Sequence, residues 1–298
     1  MVRRGGTRDL TPTALPTDTL RPTLNTQQPT GQSVNPPGNV PDLAALQRLM
    51  LDLVNADRAT ERLSPVQWDA FAAQVGQTHA EDMAANGYMS HWNLAGEGPD
   101  VRYGRAGGMD NVQENVYLYW YRHDDGSPAP IEDWEVVMRE AEATLMDSPG
   151  HRANIMAPEH THVGIGIAYN AATGDVRIAQ EFLNRYVALE PLPSQARVGD
   201  TLTVRGQLLP GASNPLINLA YEPFPQPMTV PEVEARSTYQ SPAKFFSAVQ
   251  SQADANGRFL AQVTLDADGQ AGVYHVLIWV DVDDSSLQAV NVVLDVAN

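Results

Sequence analysis

The stretch VGIGIAYNAATGDVRIAQEF, residues 163–182, reads as two apolar strands, Val163 to Ala168 and Val176 to Phe182, joined by a turn that contains Asn170 and Gly174. Helical patterns precede it. Leu43, Leu46, Met50, Leu53 and Val54 stand three or four apart, which is one apolar stripe on a helix beginning after Pro41 and Asp42. A second helix is expected from Ser64 and Pro65, where serine can cap and proline fits the first turn. Its stripe runs Trp68, Phe71, Val75, His79, Met83. A third pattern, Trp134, Val137, Met138, Ala141 and Leu145, stops at Ser148, Pro149 and Gly150. Helices first and paired strands last predict an α+β layer fold over residues 42–186, not alternating βαβ units.

Downstream, over residues 187–298, the period becomes two. Leu202 and Val204, then Phe259 to Leu265, Tyr274 to Val280 and Val290 to Val296 alternate between turn residues, the pattern of an antiparallel β-sandwich. Gly272 to Val276 resembles the tyrosine corner of immunoglobulin-like domains, so an immunoglobulin-like sandwich is expected. A proline-rich insertion, residues 223–242, reads as a long loop that the strand pattern does not place. Upstream, residues 1–41 are rich in Thr and Pro and nearly lack large apolar side chains, and a disordered stalk is expected there.

Composition removes several classes of function. The 298 residues carry 19 Lys and Arg against 36 Asp and Glu, a net charge of −17, so nucleic acid and anionic membranes are not expected partners. No cysteine occurs, which removes disulfides, thiolate metal sites and a cysteine nucleophile. No run approaches the roughly 20 apolar residues that span a bilayer, and the opening MVRRGGTRDL lacks the apolar core of an export signal. Phosphate-binding loops, dinucleotide fingerprints, nucleophile elbows and His-Glu-x-x-His are all missing.

Six of the seven histidines fall before residue 187. His79 lies on the stripe of its helix and reads as a core histidine with one hydrogen-bond partner. His160 and His162 flank a strand start and read as solvated edge residues, and His275 reads as a surface residue of the sandwich. His91 and His151 each sit just beyond a helix, where a side chain can point into a cleft, and Glu114 stands where an apolar run begins. Two imidazoles and one carboxylate are donors suited to zinc or another divalent metal, which makes His91, His151 and Glu114 the candidate metal set. The acidic loops at Asp266–Asp268 and Asp281–Asp284 lack a complete calcium-binding loop and read as solvated.

LVNADR (53–58), Pro65 with Trp68 and Asp69, HAEDMAANGYMSH (79–91), Glu114-Asn115, SPGHRANIM (148–156), THVGIGIAY (161–169) and IAQEF (178–182) occur in one order over about residues 44–186. That series resembles the bacterial branch of the CAP superfamily, the cysteine-rich secretory protein, antigen 5 and pathogenesis-related 1 group also called SCP domains. The resemblance implies a three-layer α-β-α sandwich, an extracellular or cell-surface setting and a cleft lined by histidines and glutamates. It puts His91, Glu114 and His151 in that cleft, and the neighbouring residues extend it: Asn154, one turn after His151, is expected to hold the histidine loop by amide hydrogen bonds, and Arg152 or Gln180 to satisfy Glu114. Arg177 stands where eukaryotic members have their second histidine, and Ser148 where they have their second glutamate. The function expected is an extracellular binding or interaction module for a small molecule, a lipid or a divalent metal, with a cell-surface or protein partner. A hydrolase using the two histidines on protein or cell-wall substrates, and a structural adhesion protein, are the alternatives.

Overall fold

The structure, a computed structural model, describes residues 2–6, 42–236, 238–240 and 244–298. The stalk expected over 1–41 lies outside those residues, except for β1 (Val2–Gly6), an edge strand antiparallel to residues 119–123. Helix α1 (Leu43–Thr60) starts where expected: the Asp42 carboxylate accepts from the Ala44 N–H, and Leu46, Met50 and Val54 form its buried face. The second helix starts later than the sequence suggests. Gln67–Trp68 form a two-residue strand, β2, because the Gln67 N–H donates to the Thr161 carbonyl and the Asp69 N–H to that of Val163. Sheet pairing therefore fixes the chain up to residue 69, and Asp69 rather than Ser64 caps α2 (Ala70–Asn86), accepting from Ala72 N–H at 2.7 Å.

The remaining elements of this unit are α3 (Pro99–Arg105), β3 (Gln113–His123), α4 (Trp134–Asp147), α5 (Pro149–Ile155), β4 (His162–Asn170) and β5 (Asp175–Leu183). The strands form one sheet in the order β1-β3-β5-β4-β2. Helices cover both faces. Val163, Ile165, Ile167, Val176, Ile178, Phe182, Tyr117 and Tyr119 share an apolar core with α1, α4 and α5. The alternate residues of the same strands meet α2: Val116 and Ala179 pack with Met83, and Leu183 packs with Phe71 and Val75. Strands covered on both faces read as continuous apolar runs, which is why residues 163–182 were legible. On the α2 side the backbones nearly touch. A Cβ on Gly164 would collide with the backbone of Ala72 and Ala73, and one on Gly166 with that of Gly76 and Gln77.

The second unit comprises β6 (Val187–Leu189), β7 (Gln195–Arg197), β8 (Thr201–Leu208), β9 (Ala212–Glu222), α6 (Val230–Glu234), β10 (Lys244–Gln250), β11 (Arg258–Thr264), β12 (Gly272–Val282) and β13 (Ser285–Ala297). These strands build a five-stranded sheet, β10-β9-β12-β13-β7, and a three-stranded sheet, β11-β8-β6, whose inner faces share one apolar core. Tyr274 donates its hydroxyl to the Gln270 carbonyl at 2.6 Å and accepts from the Ala267 N–H, a bond back to the chain just upstream. The two units meet along α3 and β13. Val101 packs with Val273 and Val293, and a Cβ on Gly104 would lie 2.7 Å from Val293 Cβ.

His275, expected at the surface, is fully buried at this junction. Its ring reaches Asn291 Oδ1 at 2.9 Å and Glu222 Oε1 at 3.4 Å, and Asp100 of α3 lies 3.9 Å away. The reading missed this because the groups that make burial tolerable lie on another strand and in the other unit. His160 and His162 are likewise buried rather than solvated. The His160 ring stacks on Phe182 at 5.2 Å and shares hydrogen bonds with Asn184, Asn154 and Gln113.

Candidate functional site

Strand alternation decides which residues can meet. Glu114 is the register partner of Glu181, and Asn115 that of Gln180. Neighbours along a strand point to opposite faces. Glu114 and Glu181 therefore project toward α2, while Asn115 and Gln180 project toward α4 and α5.

On the α2 face five side chains gather: His79 from α2, His91 from the loop after it, Arg102 from α3, and the two glutamates. The His91 Nδ1–H donates to Glu114 Oε1 at 2.8 Å, and Arg102 pairs with the other oxygen, Glu114 Oε2. Arg102 also donates to the His91 carbonyl at 2.5 Å and lies 4.0 Å from Glu181. His79 Nε2–H donates to the Ser90 carbonyl at 2.8 Å, the single-partner core histidine anticipated from its stripe, and stands 3.9 Å from Glu114 Oε2. Burial raises both carboxyl groups. Glu114 is pushed up to about 7 against the pull of Arg102, and Glu181 well above the usual carboxylate range because the Glu114 charge adds to its burial. The pair therefore keeps a proton on Glu181 at neutral pH while Glu114 answers the guanidinium. Burial, reinforced by Arg102, drives the His79 pKa well down, so this imidazole is neutral. With Nε2 donating to Ser90, Nδ1 is left as an acceptor.

The other face holds a separate polar network. Asn115 donates to Gln180 Oε1 at 3.0 Å and to the His151 carbonyl at 3.3 Å, and it accepts from Asn154 at 3.1 Å. Gln180 donates to Glu142 Oε2 at 2.8 Å. Glu142 is fully enclosed, and its pKa is pushed up to about 8 by burial. Arg58 ties the chain after α5 in place by donating to the carbonyls of Ile155, Ala157 and His160.

The set expected from the sequence is thus divided. His91 and Glu114 are together on the α2 face, whereas His151, Asn154 and Gln180 belong to the network on the opposite face. His151 lies inside α5 rather than in a turn, since α5 begins at Pro149 directly after Ser148. Glu114 is satisfied by Arg102, not by Arg152, which pairs with Glu61 at the surface, nor by Gln180. Among the described residues no three His, Asp or Glu side chains converge as metal ligands. The candidate zinc set His91, His151 and Glu114 does not fit a metal, because the Arg102 guanidinium already holds the cationic place beside Glu114. Arg102, Glu181 and Glu142 were missed. Arg102 sits in a seven-residue helix with no readable stripe, but the alternation of Gln180 and Glu181 in IAQEF was a usable signal.

Beside the α2-face cluster opens a pocket of about 420 Å³, lined by Phe71, Val75, Thr78, His79, Leu94, Arg102 and Ala106 among others. Two of its lining side chains carry polar atoms without hydrogen-bond partners among the described residues, His79 Nδ1 and Arg102 Nε.

Residues 51–183 match the cysteine-rich secretory protein family, CAP. The chain carries a CAP domain, also called an SCP domain. It is 31% identical over 129 residues to the Bacillus subtilis membrane protein YlbC, covering 41% of this chain and 31% of that one. It is 25% identical over 142 residues to Bacillus subtilis YkwD, covering 47% and 48%. The chain thus spans between about a third and a half of the length of these relatives. Among solved structures, an extracellular SCP-domain protein of Bacillus anthracis aligns at 23% identity and a TM-score of 0.38, covering 50% of this chain and 45% of that one. An outer surface protein of Borrelia burgdorferi aligns at 14% identity and a TM-score of 0.38, covering 48% and 96%.

Proposed function

We propose that this is an extracellular or cell-surface binding protein, built from a CAP α-β-α layer domain and an immunoglobulin-like sandwich, whose CAP pocket takes a small, largely apolar molecule bearing a hydroxyl group. One observation carries the reading: His79 Nδ1 is an acceptor and Arg102 Nε a donor, both lack partners among the described residues, and both belong to side chains lining the same pocket. A hydroxyl supplies one donor and two acceptor lone pairs, so it complements that pair. Phe71, Val75 and Leu94 supply an apolar wall. The volume falls within the roughly 300–1,000 Å³ of small-molecule sites. A carboxylate fits less well, because Asp82 and Glu97 also line the pocket and Arg102 is already committed to Glu114.

The test is calorimetric titration with octan-1-ol and with octanoate. Saturable octanol binding is expected, at least tenfold weaker for octanoate, and lost when exposed Thr78 is replaced by the pocket-filling Thr78→Trp. Equal binding by the variant would reject the site. The acid–base alternative draws support from Glu114, whose carboxyl lies near the range a general acid or base needs. It has less support than binding, because Glu114 does not line the pocket and is clamped by Arg102.

A further inference from the structure

The insertion between β9 and β10 belongs to the sandwich by sequence, yet it lies on the CAP domain. The Met228 N–H donates to the Leu94 carbonyl at 2.8 Å, and the Ser90 hydroxyl donates to the Val233 carbonyl at 3.0 Å. Val233 fills a pit formed by Met83, Tyr88, Met89, Val116 and Ala179, two residues along β3 and β5 from Glu114 and Glu181. Six positions later Tyr239 meets Trp92 edge to face, with centroids 5.2 Å apart, and donates its hydroxyl to Asp100. Arg236 covers the other part of the Trp92 ring at 4.4 Å.

Two features mark this as recognition of a segment rather than ordinary core packing. Among the described residues from 223 to 240 only Val233 and Tyr239 are buried, so the segment is held by two anchors and a few backbone bonds. That is how a short linear segment docks: a helical turn presents one anchor, Val233, a second anchor follows in Tyr239, and main-chain bonds at Met228 and Val233 fix the register. The receiving loop is also shaped for the visitor. A Cβ on Gly98 would run into the Tyr239 ring, although φ of −78° at Gly98 is open to any residue.

We propose that this face of the CAP domain is a peptide-recognition groove, that residues 224–236 and 238–240 occupy it as a releasable ligand in cis, and that its partner in trans is a short peptide that forms one helical turn. That peptide carries a β-branched residue and, six positions on, a tyrosine. Leu94 borders both this groove and the octanol pocket, but the residues around Val233 and Tyr239, namely Met83, Tyr88, Trp92 and Asp100, do not line the pocket, so the two sites are tested separately.

A fluorescein-labelled peptide of residues 224–240 is titrated into the full chain and into the full chain carrying Val233→Asp and Tyr239→Ala. The detached variant is expected to bind at least tenfold more tightly than the intact chain and to lose binding when Gly98→Leu is added. In the unaltered protein the Met228 amide is expected to exchange its hydrogen by local opening, well before the amides of β12. Absence of peptide binding, unfolding of the double variant, or Met228 exchange only through global unfolding would each overturn the proposal. Octanol titration of the same variant reports on the pocket alone, so failure of one site does not mimic failure of the other.

Discussion

Glu142 has one oxygen bonded to Gln180 and the other without a partner among the described residues, in a site that excludes water. Burial makes the neutral acid the favoured form, with a folded pKa of about 8 against an unfolded value near 4.5. Between those values the native state holds more protons than the unfolded chain, so this group's contribution is complete below pH 4.5 and is lost as pH rises through 8. Glu142→Gln keeps an acceptor for Gln180 and cannot ionise. Urea unfolding at pH 6 and pH 9 is expected to show the wild type losing about 2 kcal/mol more than the variant across that range. His160 works in the opposite direction: burial, with Arg58 adding to it, lowers its pKa to about 3, so stability is lost as pH falls from 6.5 toward 3. Arg102 is the most exacting residue of the site. Arg102→Ala leaves Glu114 buried without its cation and is expected to destabilise by about 3 kcal/mol in the same assay, whereas Arg105→Ala at the half-exposed edge is expected to cost far less. His91 and Glu114 stood out as candidates because His91 sits just beyond a helix and Glu114 where an apolar run begins. Their partners did not, because Arg102 and Glu181 gain meaning only when α3 and β5 are folded against β3.

Helix α2 lies against β4 and β5 only because Gly76, Gly164 and Gly166 carry no side chain where the backbones approach. The motif THVGIGIAY thereby acquires a physical reason: its isoleucines and valine face α1 and α4, and its glycines admit α2. Gly166→Ala is expected to destabilise by about 2 kcal/mol or more, because the obstructing atoms are backbone and cannot move aside, while Gly87→Asn at the open C-cap of α2 is expected to be close to neutral. Urea midpoints of the two variants check this. At the scale of elements the sequence was most informative for buried strands, whose apolar runs have no competing reading. It misplaced the start of α2, because the pairing of β2 with residues 162–163 is non-local and overrides the local capping signal at Ser64.

Across the molecule, the two units are joined by a small polar centre within an apolar seam. His275 faces Asp100, Glu222 and Asn291, and Asp100 also receives Tyr239. The two carboxylates raise the His275 pKa despite its burial, so its contribution to the junction is complete below pH 6.5 and is lost as pH rises through the folded value. Calorimetric melting is expected to show one transition at pH 6, with the two units separating into two transitions when Gly104→Val pushes Val293 away. A single unchanged transition in that variant would show that the seam does not couple them. None of this was visible in the sequence, since residues 100, 239 and 275 share no motif and meet only through the fold; the proline-rich insertion was unplaceable for the same reason. The proposed binding site lies on the α2 face, with His79 and His91, and not on the face that holds His151 and His160. It is tested most directly by recording the imidazole nitrogen resonances during an octan-1-ol titration. The signals of His79 and His91 are expected to move with ligand while those of His151 and His160 stay still. Movement confined to His151 or His160 would contradict it.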